Sequence, residues 1–266
     1  MNPPSSRAPA VAGLFYPGEH RSLTRTLAEL LSSAPSDHAV APKALIAPHA
    51  GYVYSGPIAA QAYARLSAAR DTIRRVVLLG PTHRVAVRGI ALPAAERFVT
   101  PLGPVDIDAD AVKRLRSLPQ VCVSDEAHAL EHSLEVHLPF LQTVIAHFAL
   151  VPLAVGYVEP DEVAEVIEAV YGGPETLIVV SSDLSHYLPY AQAQSVDRST
   201  CDAILALRSD IDHEHACGAT PVAGLNVVAR RKGLKPELID LRNSGDTAGD
   251  RSRVVGYASF AFYEAA

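Results

Sequence analysis

Short apolar runs that lead into a histidine recur along this chain of 266 residues. The runs and the histidines that follow them are residues 44–47 with His49, residues 75–79 with His83, and residues 176–181 with His186. Apolar runs of this length, bounded by turn residues, are typical of strands that are buried on both faces of a sheet. Imidazoles carried to one edge of a sheet by strand ends are suited to bind a transition metal. A metal site is therefore the first hypothesis.

Helical patterns alternate with the strands. We predict helices at residues 21–33, 57–68, 161–171, 191–207 and 219–231, and further strands at 149–155, 238–241 and 254–262. Pro57 and Pro221 are each expected at the first position of a helix. Because no repeat or low-complexity linker divides the chain, we predict one α/β domain over residues 11–266. Its largely parallel or mixed central sheet carries helices on both faces.

Composition excludes several classes of protein. The formal net charge is -6 and no cluster of lysine and arginine breaks the balance, which argues against nucleic-acid or anionic-membrane partners. Residues 148–158 are the longest apolar stretch and are too short to cross a membrane. Residues 1–10 are rich in Pro and Ser, lack the apolar core of a signal peptide, and are expected to form a flexible tail. Three cysteines form no disulfide framework, so a reducing, cytoplasmic location is expected.

Two of the histidines are held by their neighbours. Pro48 restricts the backbone before His49 and Gly51 permits an unusual conformation after it, and Gly80 and Pro81 frame His83 in a similar way. The remaining isolated histidines are interpreted as polar surface residues. They are His20, His38, His147, His213 and His215.

The segment from Glu131 to His137 only superficially resembles a zinc helix. It lacks the His-Glu-x-x-His motif, although His128 and His132 have the spacing of four residues that would place them on one face of a helix. A solvated acidic helix is the alternative, because carboxylates occur at positions 125, 126 and 131. We assign His132 to the surroundings of the metal or to substrate contact.

Ser181 to His186 contains Ser, Asp and His together at a strand end. A serine hydrolase is disfavoured, since the Gly-x-Ser-x-Gly elbow is absent and adjacent triad residues rarely reach the required geometry. The preferred interpretation is that Asp183 orients His186 as a general acid or base.

Cys217 is the cysteine that we single out. It precedes a helix expected to begin at Thr220 and Pro221, and a thiol near a helix N-terminus is expected to have a lowered pKa and to bind metal as thiolate. Cys122 and Cys201 are better interpreted as small buried apolar residues.

Four motifs, in this order, resemble the Memo family, whose bacterial and archaeal members are called AmmeMemoRadiSam system protein B. They are Ala-Pro-His-Ala-Gly-Tyr-Val-Tyr-Ser-Gly at 47–56, Gly-Pro-Thr-His at 80–83, Glu-His-Ser-Leu-Glu-Val-His-Leu-Pro at 131–139, and Ser-Ser-Asp-Leu-Ser-His at 181–186. The resemblance extends from about Gly13 to Phe262.

The resemblance implies a fold like that of the class III extradiol ring-cleaving dioxygenases, with a non-haem iron pocket at the strand ends. It implies that His49, His83 and Cys217 are metal ligands, and that His186, beside Asp183, is similar to the acid/base histidine of those enzymes. Phe15 and Tyr16 would lie near the pocket. The ring-cleaving enzymes complete their iron site with a carboxylate, whereas a thiolate shifts the metal preference toward copper, zinc or thiolate-bound iron.

The favoured hypothesis is a non-haem iron-dependent, dioxygenase-like redox enzyme acting on an unknown small substrate, which His132 and Tyr54 would help to orient. One alternative is a metal-binding or metal-handling protein without turnover. Another is an accessory partner of radical-SAM and AMMECR-type proteins. The sequence itself has no Cys-x-x-x-Cys-x-x-Cys cluster motif, so any radical chemistry would belong to another protein.

Overall fold

Residues 5–35 and 40–265 are described by the structure, a computed structural model. The strands are β1 (Ser6–Arg7), β2 (Ala44–Ala47), β3 (Arg75–Pro81), β4 (Ile90–Leu92), β5 (Arg97–Thr100), β6 (Gly103–Asp106), β7 (Val121–Val123), β8 (Ala149–Val155), β9 (Thr176–Ser181), β10 (His186–Leu188), β11 (Lys235–Asn243) and β12 (Val254–Tyr263). The α-helices are α1 (His20–Ser32), α2 (Tyr52–Ala64), α3 (Ala109–Leu115), α4 (Asp125–Ala129), α5 (Leu138–Val144), α6 (Pro160–Ala169), α7 (Tyr190–Leu205) and α8 (Ala219–Lys232).

Four parallel strands form the centre of a mixed sheet, in the order β2, β9, β3, β8. β12 pairs antiparallel with β2, β10 and β11 on one side, and β4 pairs antiparallel with β8 and parallel with β7 on the other. Strands with neighbours on both edges and helices over both faces are expected to be apolar throughout. The predicted α/β class with a mixed, helix-flanked sheet is confirmed.

Two apolar layers cover the sheet. On β3, Val77 and Leu79 pack into the layer that contains α3, α6, α7 and α8, whereas Val76 and Leu78 pack into the layer of α1, α2 and α5. Neighbouring side chains of a strand point to opposite faces, so one continuous run supplies both layers. The loops at the strand ends are thereby held on a rigid support.

The start of α2 differs from the prediction. The helix begins at Tyr52 rather than at Pro57, which lies inside it. An internal proline removes one helical hydrogen bond, but buried side chains and a bond from the Ser55 hydroxyl to the Ala50 carbonyl (2.8 Å) support the first turn. Similarly, Gly218 rather than Thr220 is the residue that precedes α8.

The predicted flexible tail, residues 1–10, is wrong for its second part. β1 pairs in parallel with β5, and β5 pairs with β6 to form a separate sheet of three strands. The Arg7 side chain is buried, and its charge is paired there with buried Glu135. Residues 1–4 of that prediction, like His38, lie outside the described residues.

Most residues interpreted as ordinary surface or core positions have that environment. His20, His147 and His213 are exposed, His215 is half-buried, and Cys201 is buried. Cys122 is exposed, contrary to the prediction, because it lies on the short outermost strand β7. No helix in the described part of the chain is long and apolar enough to span a membrane.

Candidate metal centre

The parallel strands deliver three of the predicted residues to one edge of the sheet. His49 follows β2, His83 follows β3, and Asp183 follows β9. Since parallel strands end on the same side, their loops meet there, which is where ligands bind in sheets of this kind. His132 arrives separately, on the loop between α4 and α5.

Three imidazoles form a compact group. One ring nitrogen from each of His49, His83 and His132 lies within 4.8 Å of the others, so the group can hold a metal ion. The ring centroids of His83 and His132 are 4.6 Å apart, and that of His49 lies 5.2 Å and 5.4 Å from them. His49 is buried, His132 is half-buried, and His83 faces solvent.

The Glu131 carboxylate organises two of these rings. It accepts hydrogen bonds from the amide and Nδ1 of His83 (2.5 and 2.9 Å), and from the amides of His132 and Ser133 (2.9 Å each). Nδ1 of His132 lies 3.4 Å from the same carboxylate. Although burial opposes ionisation, the hydrogen bonds from His83 and Ser133 lower the pKa of Glu131 to about 2.

For His83 as a metal ligand, the contact with Glu131 determines which ring nitrogen carries the hydrogen. An ionised carboxylate only accepts hydrogen bonds, so Nδ1 of His83 must donate and Nε2 keeps its lone pair. The position of His132 Nδ1 near the same oxygen favours the same tautomer. Burial also lowers the pKa of His132, which favours the neutral form.

Ser181 has the corresponding role for His49. Its hydroxyl donates to the Ser133 carbonyl (2.7 Å) and lies 2.6 Å from His49 Nδ1. Because the single hydroxyl hydrogen is used for Ser133, Nδ1 must be the donor to Ser181, so Nε2 of His49 carries the lone pair. Burial, reinforced by the neighbouring imidazoles, holds the pKa of His49 well below its ordinary value.

The donor set fits a divalent transition metal. Neutral imidazoles are common ligands of zinc, iron, copper and nickel. Metal-binding histidines usually donate their second ring N–H to a carboxylate or another acceptor, as His83 does to Glu131 and His49 does to Ser181.

Cys217 lies on one side of this group. Its Sγ is 3.4 Å from His49 Nε2 and 3.7 Å from the Asp183 carbonyl, but it does not lie as close to all three imidazoles. The expected lowering of the thiol pKa is wrong. Burial, and secondly the Asp183 charge, raises the pKa of Cys217. The helix end is therefore a smaller influence than lost hydration.

Asp183 supports His49 rather than His186. Its Oδ1 accepts the His49 amide (2.8 Å), and its Oδ2 lies 3.9 Å from His49 Nε2. That contact is not an ion pair, since the lowered pKa of His49 keeps its ring neutral. Burial raises the pKa of Asp183. Among the described residues no hydrogen bond joins Asp183 to His186, which lies exposed at the start of β10.

The predicted aromatic residues have three different environments. The Phe15 ring packs against that of His132, with centroids 4.9 Å apart. Tyr16 is buried and donates to Glu135 (2.6 Å), so its hydroxyl is used inside the protein. Tyr54 is 40% exposed, on the first turn of α2.

An open cleft of about 830 Å³ gives access to the group. It is lined by His83 and Cys217, by Arg84 and Tyr157 from two strand-end loops, and by Thr220 of α8. A cleft of this size is in the range of small-molecule sites.

Sequence reasoning missed two residues that organise the centre. Glu131 is buried, so the alternative of a solvated acidic helix is wrong there, and Ser181 is a hydrogen-bond partner rather than only a strand residue. A buried carboxylate beside His132 could have been suspected from the Glu-His pair. The contact of Ser181 with Ser133 depends on tertiary structure and leaves no local signal.

The chain is thus an α/β protein with a three-imidazole group at the carboxyl edge of its sheet. It belongs to the Memo family, since the family model described as Memo-like protein matches residues 7–261. A MEMO1 family protein of Aquifex aeolicus is 35% identical, over 96% of this chain and 98% of the relative. A MEMO1 family protein of Archaeoglobus fulgidus is 36% identical, over 96% of this chain and 99% of the relative. These matches confirm the predicted family.

A solved structure supports the fold. The crystal structure of the uncharacterized protein JW3007 from Escherichia coli K12 is similar with a TM-score of 0.54, and the likeness covers 81% of this chain and 98% of that chain. The two sequences are 15% identical, so the likeness concerns the fold alone.

Proposed function

We propose that the protein is a metal-dependent redox enzyme, dioxygenase-like in its site, that acts on a small molecule bound in the cleft beside His83 and Cys217. The convergence of three imidazoles carries the proposal. Their second ring nitrogens are engaged by Glu131 or Ser181, and an open cleft reaches the group. The resemblance to the ring-cleaving dioxygenases suggests the reaction class.

His49 and His83 are the proposed principal ligands. His132 is the proposed third imidazole, and Cys217 the sulfur donor on the side of His49. This extends the set of His49, His83 and Cys217 that the resemblance implies, because His132 lies within the compact group and Cys217 contacts only His49 among the three imidazoles. A metal would favour the thiolate form of Cys217, which burial alone disfavours.

Iron is the proposed metal, with copper or zinc as alternatives. When bound, it would supply Lewis acidity and one-electron chemistry. Phe15 would fix the orientation of the His132 ring and Tyr54 would contact the substrate, whereas the Tyr16 hydroxyl is used by Glu135. His186 is the proposed group that exchanges protons with solvent, and Asp183 holds the His49 amide and offers a carboxyl near it.

Metal analysis of protein purified without chelators tests the proposal. We expect close to one transition metal ion per chain, lost in H49Q and H83Q but retained in H147Q, which removes an exposed histidine. X-ray absorption then distinguishes the ligands, since metal–sulfur bonds are about 2.3 Å and metal–nitrogen bonds about 2.0–2.1 Å. A sulfur shell lost in C217S supports the thiolate, and wild-type protein that binds no metal contradicts the proposal.

Oxygen uptake tests turnover. Anaerobically iron-loaded protein, mixed with catechols and other enolisable aromatics, is expected to consume oxygen only when a substrate is present. Uptake that H186A abolishes while metal content is unchanged supports the proton role of His186. Uptake that is the same in H186A contradicts that role.

A metal-binding protein without turnover is the second candidate. It is favoured by the exposure of His186 and by its lack of a hydrogen bond with Asp183 among the described residues, because an acid/base histidine is usually oriented by a partner. Stable metal binding with no substrate-dependent uptake would favour this candidate.

A role beside radical-SAM and AMMECR-type proteins is a further proposal that the family resemblance alone supports. Genome neighbourhood and copurification test it. A gene that stands alone, with no such protein retained on the tagged chain, would count against it. The proposed cytoplasmic location rests on the cysteine content of the chain.

A further inference from the structure

The N-terminal segment (residues 6–16) crosses the histidine loop (residues 128–137), which carries Glu131 and His132. Arg7 makes the first contact between them and is only 6% exposed. Its Nη2 donates to the Glu131 carbonyl (2.6 Å), its Nε donates to the His128 carbonyl (3.0 Å), and its Nη1 pairs with the Glu135 carboxylate. One guanidinium therefore contacts the histidine loop at three positions.

Glu135, near the end of the histidine loop, also binds the later part of the N-terminal segment. Its carboxylate is fully buried and accepts the amides of Ala10 (2.7 Å) and Val11 (3.0 Å) and the hydroxyl of Tyr16 (2.6 Å), in addition to Arg7. The segment then ends beside the donor group, where Phe15 packs on the His132 ring. The two segments are joined at both ends.

Glu131 contacts Arg7 through its backbone and the histidines through its side chain. Its carbonyl oxygen is fixed by Arg7, while its carboxylate binds the rings and amides of His83 and His132. A shift of the Glu131 backbone would carry the carboxylate with it. The guanidinium is thus connected to the imidazoles of His83 and His132 through one residue, Glu131.

Stability alone does not account for such a pair. Burying a guanidinium and a carboxylate costs hydration, and well-packed apolar side chains in their place are often as stabilising or more so. A buried pair does fix a single geometry, because each of its hydrogen bonds has a defined direction. The three Arg7 contacts all fall on the loop that carries the Glu131 and His132 groups.

We propose that Arg7, with its partner Glu135, is a positioning residue for the metal centre: the N-terminal segment holds the histidine loop so that His132 and Glu131 meet His83 and His49. The inference rests on the proposed metal site. It assigns to the beginning of the chain a role in metal affinity, although none of its side chains belongs to the compact donor group.

Binding of Co²⁺ and Zn²⁺ to the full chain tests the inference. R7M should weaken metal binding by about 10- to 100-fold, the range seen when groups that orient ligands are removed. R7M/E135L removes both buried charges but leaves the Ala10 and Val11 amides and the Tyr16 hydroxyl without an acceptor. It should therefore recover only part of the thermal stability that R7M loses, and none of the affinity. R7K should retain a charge near Glu135 yet lose the simultaneous contacts with both carbonyls, and should remain weaker than wild type. R97M is the matched control, since Arg97 on β5 pairs with Asp106, and it should bind as wild type.

The outcomes separate the inference from the proposed function. If wild type binds metal and the folded R7M/E135L binds it equally tightly with the same Co²⁺ spectrum, Arg7 has only a structural role and the inference is overturned. If wild type binds no metal, the proposed function fails. In that case, hydrogen exchange tests separately whether Arg7 and Glu135 hold the histidine loop in place. The amides of His132 and Ser133, which donate to Glu131, should exchange at least about 10-fold faster in R7M/E135L, and unchanged exchange overturns the inference.

Discussion

Glu131 and Asp183 are both buried beside the imidazoles, yet they bind protons with opposite preference. Glu131 accepts four N–H groups from its surroundings and its pKa falls to about 2. Asp183 accepts one backbone amide, from His49, and burial raises its pKa. The number of donors aimed at a carboxylate therefore decides, at similar depth, the direction in which its pKa is shifted. On one side of the centre the carboxylate has a lowered pKa, and on the other side the carboxyl has a raised pKa.

The largest effect is expected from E131Q. The amide cannot replace the charge that accepts four N–H groups, and its own NH2 group would face some of them. We expect the free energy of unfolding to fall by about 3 kcal/mol and metal affinity to fall by about 10- to 100-fold. Chemical denaturation and Zn²⁺ titration measure the two effects. E126Q, on the exposed surface of α4, is the control. A variant with wild-type affinity would show that the Glu131 charge does not organise His83 and His132.

A smaller effect is expected from S181A, on the Asp183 side. Removing the hydroxyl leaves His49 Nδ1 and the Ser133 carbonyl without their partner, so stability should fall by about 1–2 kcal/mol and metal affinity by about 10-fold. S259A is the matched control, since that serine is buried and its hydroxyl has no partner among the described residues. Equal behaviour of the two variants would contradict the role of Ser181 in fixing the tautomer of His49.

The smallest effect is expected from D197N, which extends the comparison to a carboxylate away from the donors. Asp197 is buried, accepts the Ser185 amide (3.0 Å), and has a pKa raised by burial. A raised pKa means that the folded state binds the Asp197 proton more tightly than the unfolded state does. Proton binding therefore stabilises the fold at pH values below the unfolded-state pKa of about 3.9. This stabilisation is lost as the pH rises through the folded-state pKa. D197N lacks this loss, so its stability should increase relative to wild type as pH rises through that window. A difference in unfolding free energy between D197N and wild type that is constant from pH 3 to pH 7 would contradict the prediction.

The pattern of apolar residues predicts the central strands of the sheet better than any other part of the fold. The bounds of β2, β8 and β9 agree with the prediction because strands covered on both faces must be apolar at every position. The sequence does not predict the short strands β4 to β7, since three or four residues are too few to show a periodic pattern. Pro57 predicts too late a start for α2, because tertiary packing overrides the preference of proline for the first helical position.

In the candidate site, the sequence located His49 and His83 through the turns that frame them. It could not assign His132, because spacing along a helix gives no information once α4 ends at Ala129 and the chain turns. The Glu131 and Ser181 contacts bridge segments distant in sequence, and only the folded chain defines them. The assignments of His186, Asp183 and Tyr54 to catalysis or substrate contact stay predictions.

The position of β2 within the sheet has a consequence for synthesis of the protein. Although β2 lies early in the chain, it pairs with β9 along one edge and with β12, near the C-terminus, along the other. A nascent chain on the ribosome has made His49, His83 and His132 long before it has made these neighbours. The loop after β2 therefore acquires its final support only after β12 has been made and has paired, and capture of an ion should follow that step.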